Sequence, residues 1–161
     1  MLTRYCKTGL AQAFLLTLAL HFSGCNSEKE TGIYYPMKNR TWDRFNVLDF
    51  SLPVQVTDKY HDLVLYIWFT DFYGTENLPV NVIINNPSGE ERILEVLFKV
   101  RDAKDTIIIP CKADTCYDEF LIQRGLKVLE EGNLSVQIEN LNPKITTPGI
   151  AGVGIKLVPS P

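Results

Sequence analysis

The stretch LDFSLPVQV, Leu48–Val56, decides the fold. In it Leu48, Phe50, Leu52, Val54 and Val56 alternate with Asp49, Ser51, Pro53 and Gln55. A period of two puts every apolar side chain on one face of an extended chain, which makes a half-buried β-strand and not a helix. Pro53 has no backbone N–H to give a neighbour, so the strand belongs at the edge of its sheet. Downstream, LVLYIWF at Leu63–Phe69 is apolar on both faces, as a central strand would be. LPVNVII at Leu78–Ile84 alternates again, and NNPSGE supplies a turn before a strand near Ile93–Val100. RDAKD then turns the chain into TIIIP, NLSVQIENL alternates at Asn133–Leu141, and a last strand runs near Val153–Val158. Only LIQRGLKVLEEG, Leu121–Gly132, is ambiguous, with room for one or two helical turns. Short strands about 10–15 residues apart, joined by turn chemistry, specify an all-β fold, an antiparallel β-sandwich of about seven to eight strands.

Upstream the chain is of another kind. Arg4 and Lys7 are the only charges before Cys25, and an apolar run extends from Leu10 to Phe22. That run is shorter than the roughly 20 apolar residues a membrane span needs, and Gln12 and His21 interrupt it. A basic start, a short apolar centre and small residues at the end describe a cleavable signal peptide over residues 1–24. Ser23, Gly24 and Cys25 resemble the lipobox of bacterial lipoproteins, with Phe22 where Leu is usual. Small side chains admit a peptidase, and the Cys25 thiol is the nucleophile that accepts a diacylglycerol. The freed amino group then takes a further acyl chain such as palmitate. Two or three chains anchor firmly where one does not. The alternative at this junction is simple cleavage and release. The polar NSEKETG stretch that follows reads as the start of a lipid-anchored flexible tether, residues 25–41, ahead of one sandwich domain over 42–161. Glu28 and Glu30 loosely resemble the acidic export tags of surface lipoproteins in Bacteroidetes.

Without residues 1–24 the chain keeps 137 residues, enough for one domain that buries roughly two-thirds of its unfolded surface. It loses two of 16 basic residues and none of 19 acidic ones, which leaves a charge of −5. A mildly acidic chain with no basic run is not built for nucleic acid, nor for electrostatic attraction to anionic lipid. Membrane contact falls to the lipid.

Cys6 leaves with the signal and Cys25 is committed to lipid, so Cys111 and Cys116 remain, in TIIIPCKADTCYDEF. Facing positions on two strands joined by KADT lie within disulfide range, and an extracytoplasmic address is oxidising. Free thiols and a metal site are the other readings. Zinc wants four ligands, and beyond these two thiols only His61 offers a soft one, so no metal and no cofactor is expected.

Catalytic motifs are missing: there is no GxSxG, HExxH, P-loop or CxxC. Gly149, Gly152 and Gly154 have the wrong spacing for a dinucleotide fingerprint and read as permitting close backbone packing. His61 between Asp58 and Asp62 reads as a solvated turn before an acid–base site. Asp43, Asp49, Asp58, Asp62 and Asp71 supply carboxylates but no pairing that would mark glycoside hydrolysis. The expectation is a protein that is not an enzyme, with no catalytic residues and no small-molecule substrate.

Aromatic density is the remaining signal, concentrated between Tyr60 and Tyr73. Leu63, Leu65, Ile67 and Phe69 share one face of their strand, and Val64, Tyr66 and Trp68 share the other. A solvent-facing Tyr66–Trp68 pair would stack a sugar ring or a protein partner, whereas a covered central strand would carry the same letters. Phe72 and Tyr73 lie beyond the strand beside Asp71, Gly74 and Glu76, and at least one of these rings is expected to reach solvent. Tyr66, Trp68, Phe72 and Tyr73 are therefore the candidate contact residues.

Taken in order, the lipobox, the Trp42 and Phe45 entry, DKYHDLVLYI at Asp58–Ile67, YGTENLPVNV and the closing GIAGVGIKL resemble the GldH-type gliding-motility lipoproteins of Bacteroidetes. The resemblance runs from Trp42 to Leu157. Two places depart from the family pattern: Trp68 and Phe69 stand where an Arg is usual, and PCKADTC replaces a Gly-rich segment. The resemblance implies an accessory lipoprotein of the gliding machinery and its associated secretion system, lipid-anchored in the cell envelope at the outer membrane, with envelope proteins as partners. A carbohydrate-binding lipoprotein using the exposed aromatic face is the alternative.

Overall fold

A computed structural model describes residues 31–56 and 58–161; the expected signal peptide over residues 1–24, Cys25 and the polar residues behind it lie outside the described residues. The strands in chain order are β1 (Thr31–Pro36), β2 (Thr41–Asp43), β3 (Leu48–Val54), β4 (Tyr60–Thr70), β5 (Asn77–Asn85) and β6 (Glu91–Lys99). They continue as β7 (Cys111–Lys112), β8 (Thr115–Lys127), β9 (Gly132–Asn140), β10 (Thr146–Pro148) and β11 (Ile150–Pro159). One sheet has the order β1-β11-β4-β8-β7 and the other β3-β9-β5-β6, while β2 and β10 pair separately. Every pairing is antiparallel.

The alternation that decides the fold is visible in the burial. Leu48, Phe50, Leu52 and Val54 are buried and the residues between them exposed, and Pro53 sits on an edge strand as expected. Leu78, Val80, Val82 and Ile84 on β5 and Leu134, Val136 and Ile138 on β9 turn the same way. Facing them across the core are Leu63, Leu65, Ile67 and Phe69 on β4 and Val153, Ile155 and Leu157 on β11. Each such side chain removed from water contributes about 1.5–3 kcal/mol, and these contacts hold the two sheets together. Aromatic pairs close both flanks: Tyr35 against Phe50, with ring centres 4.9 Å apart, and Phe98 against Phe120 at 4.1 Å.

One end of the sandwich is capped by β2 and β10. Trp42 is fully buried there, its indole N–H donating to the Asn46 carbonyl at 2.8 Å. Buried Asn140 donates to Thr147 Oγ1 at 2.9 Å and accepts from the Asn142 amide at 3.0 Å, so its polar atoms are satisfied inside.

Two expectations need correction. The tether does not extend to residue 41, because Thr31–Pro36 pairs with β11 from Thr31↔Leu157 to Pro36↔Gly152. An edge strand buries little, and β1 has no fully buried residue, so its composition looks like linker. The expected antiparallel sandwich of about seven to eight strands is present, and its two principal sheets count nine once β1 and the two-residue β7, which give no periodic signal, are included. LIQRGLKVLEEG makes no helical turn; β8 runs through it to Lys127. Gly125 at φ +66° and register shifts between His61 and Val64 mark a bulge, which breaks the alternation that identifies a strand.

Candidate binding surface

Because β4 alternates, Leu63, Leu65, Ile67 and Phe69 enter the core while Val64, Tyr66 and Trp68 point out of the five-stranded sheet. What lies around them is set by register. Gly154 on β11 stands opposite Tyr66 on one side and Tyr34 of β1 on the other, and Gly152 stands opposite Trp68 and Pro36. A Cβ on Gly154 would come within 2.2 Å of Tyr66 Cζ, and one on Gly152 within 2.0 Å of Tyr34 Oη. The tyrosine rings thus occupy the space where β11 has no side chains.

Tyr66 lies across β11 and its hydroxyl donates to the Ile33 carbonyl on β1 at 3.1 Å. Tyr34 reaches over the same strand from the other side, its hydroxyl 3.5 Å from the Ala151 carbonyl. The two rings are parallel to within 9°, with centres 6.3 Å apart. Trp68 stands upright beside them, at 89° to Tyr34 and 84° to Tyr66. Tyr117 of β8 backs Trp68, with centres 4.6 Å apart. Together they form a floor of two flat tyrosines against a wall of Trp68 and Tyr117. Tyr34 remains 41 % exposed with its underside on Gly152, and Tyr66, Trp68 and Tyr117 are half-buried.

A polar pair borders the floor. Tyr117 donates its hydroxyl to Glu119 Oε1, and Lys156 Nζ meets the same oxygen at 2.9 Å. The Tyr117 hydrogen bond, then Lys156, hold the Glu119 carboxyl below its usual range. Burial raises the Tyr34 and Tyr66 hydroxyls above theirs, and burial with the adjoining Glu119 raises Tyr117. All three tyrosines stay uncharged near neutral pH.

Phe72 and Tyr73 do not join this surface. Phe72 is 73 % exposed, but Tyr73 is fully buried and is not a contact residue. The turn closed by the Tyr73 amide on the Thr70 carbonyl sends the ring back onto Phe69, centres 4.9 Å apart. Its hydroxyl donates to the Asn77 carbonyl at 2.8 Å, and burial pushes its pKa up to about 12.

Cys111 and Cys116 face each other across β7 and β8 and are joined by a disulfide. Their connecting turn is tied down by an Arg40–Asp114 ion pair at 3.0 Å. His61 lies in β4 and not in a turn, and Asp62 beside it accepts from the Gly125 amide at 2.9 Å and from the Ser160 hydroxyl. Those two bonds hold Asp62 below the usual carboxylate range and fasten the C-terminus to the bulge. Among the described residues no group of three or more His, Cys, Asp or Glu side chains is arranged to hold a metal ion.

Sequence reasoning singled out Tyr66 and Trp68 but did not connect them with Tyr34, Tyr117, Gly152 and Gly154, which the fold places beside them. The signal was present in GVGI, where glycine recurs at the strand period and leaves one face bare.

The model of a family described as GldH lipoprotein matches residues 31–157, from the first residue of β1 into β11. No curated protein matches the chain.

Proposed function

This chain belongs to the GldH lipoprotein family, and on that premise we propose that it is an accessory component of the gliding-motility apparatus and its associated secretion machinery. A family of lipoproteins implies a lipid anchor and a cell-envelope address. In this reading the anchor is on Cys25, the membrane is the outer one, and the work is presentation of the sandwich to protein partners rather than catalysis.

One observation carries the docking part of the proposal. β6 is a nine-residue edge strand whose pairing with β5 runs unbroken from Asn77↔Lys99 to Asn85↔Glu91. Edge strands are normally blunted by bulges, proline, brevity or charge; β6 has no bulge and no proline, and its charges, Glu91, Arg92, Glu95 and Lys99, leave Ile93 and Leu97 open between them. Its outward face carries Ile93 and Leu97, 61 % and 64 % exposed, alternating with Glu91, Glu95 and Lys99. The partner this suits is an extended strand of an envelope protein, added to the sheet through backbone hydrogen bonds with Ile93 and Leu97 setting its register.

The test replaces Ile93→Lys together with Leu97→Glu, which keeps the net charge. Both side chains are exposed, so melting should be unchanged, with each substitution within about 0.5 kcal/mol. Recovery of motility or secretion components from solubilised envelopes should fall, and gliding or secretion with it. Normal recovery and normal gliding in the double variant would refute this use of β6.

A further inference from the structure

The outer face of the five-stranded sheet is a different surface from the β6 edge and has a chemistry of its own. We propose that the Tyr34–Tyr66 floor and the Trp68–Tyr117 wall form a binding site for an uncharged, β-linked hexopyranose chain.

The first argument is shape. A pyranose with equatorial hydroxyls shows a flat face of C–H bonds, and such a face binds aromatic rings that lie flat and open on one side. Tyr34 and Tyr66 lie flat because Gly152 and Gly154 leave room beneath them, and they are parallel to within 9°. A protein core packs rings edge-on or offset with both faces covered. Here the undersides rest on glycine and Tyr34 keeps 41 % of its surface in solvent. Two rings with centres 6.3 Å apart offer one platform to each of two successive sugars.

The second argument is rigidity. Tyr66 is pinned by its hydroxyl to the Ile33 carbonyl, and Trp68 is wedged at near right angles against both tyrosines. A platform that does not have to be ordered on binding keeps the entropic cost low, which matters for a weakly binding, flexible ligand.

The third argument is polarity. Sugar hydroxyls both donate and accept, and the floor is bordered by an acceptor and a donor held together, Glu119 and Lys156 at 2.9 Å. Their charges offset, so the rim favours a neutral chain over an anionic one.

Position adds a fourth. Tyr34 is the fourth residue of β1, nine residues after Cys25. If Cys25 carries the lipid, the extended chain keeps the site within about 30 Å of the membrane surface, where envelope glycans stand.

The chain has two tryptophans, and Trp42 is fully buried, so ligand-dependent fluorescence reports Trp68. Full-length protein in a zwitterionic detergent, free of sugar headgroups, is titrated with cellohexaose, with chitohexaose and with a proline-rich peptide. At least one oligosaccharide should give a saturable change in emission, weakened about tenfold or more by Tyr66→Ala and by Tyr34→Ala. Tyr66→Phe, which keeps the ring, should bind within a few-fold of the native chain. Tyr34 is on an edge strand, so Tyr34→Ala decides the matter if Tyr66→Ala lowers the melting temperature. No saturable response to either sugar overturns the proposal, as does a response that survives Tyr34→Ala. Binding of the peptide alone assigns the surface to extended proline-rich chains instead. None of these results depends on β6, so this site and the docking edge stand or fall separately.

Discussion

At Phe72 and Tyr73 the chain leaves β4 and two adjacent rings meet opposite fates. Phe72 stands in water at 73 % exposure, while Tyr73 packs on Phe69 with its hydroxyl on the Asn77 carbonyl. Gly149, at φ +88°, makes this possible, since a Cβ there would lie 2.5 Å from the Tyr73 backbone. Tyr73→Ala should therefore destabilise the domain by about 3–5 kcal/mol, the usual cost of deleting a buried aromatic. Phe72→Ala should stay within about 0.5 kcal/mol. Chemical denaturation of the two variants measures both; equal losses would contradict the opposed placement. The sequence announces a ring in solvent here, since aromatics beside Asp71, Gly74 and Glu76 cannot all be core. It does not say which ring, because that depends on the turn packing against the distant Gly149, whose carbonyl accepts from the Thr70 amide. The same limit applies to Tyr66 and Trp68. Their shared face is legible from alternation, but the glycines that let Tyr66 lie down arrive from β11, more than eighty positions later in the chain.

Among the elements, strands with a clean period of two are the legible ones. β3, β5 and β9 bury every second residue, and their alternation is plain in the letters. β1 and the end of β8 are not legible that way. β1 is an edge whose register is imposed by β11, and β8 is interrupted by its bulge at Gly125. The β7–β8 hairpin lies between these cases. Its disulfide closes a short loop, and Arg40 and the Asp71 amide hold the turn from outside. Replacing Cys111→Ser and Cys116→Ser together should cost about 2 kcal/mol while leaving a folded domain, because so short a loop contributes little unfolded-state entropy. Alkylation of the oxidised protein should label neither cysteine. Rapid labelling of both would show that the bond does not form.

For the whole molecule, the first described strand begins at Thr31, so if Cys25 carries the proposed lipid, at most the five residues Asn26–Glu30 would separate the anchor from that strand. Fully extended from Cys25 to Thr31, that spacer would span about 20 Å, and an anchor on Cys25 would then keep the domain close to the membrane. Cys25→Ala should abolish membrane retention without changing the circular dichroism of the domain. A variant that still fractionates with membranes would rule out Cys25 as the anchor. The central claim is that the chain serves as a docking protein through the open edge of its four-stranded sheet. It is tested most directly by photocrosslinking in living cells from a benzophenone side chain at position 97 on β6. Position 51, on the opposite edge strand β3, serves as the reference. The account predicts a crosslink from position 97, absent from position 51, to a motility or secretion component identified by mass spectrometry. No crosslink from position 97, or the same adducts from both positions, would contradict it.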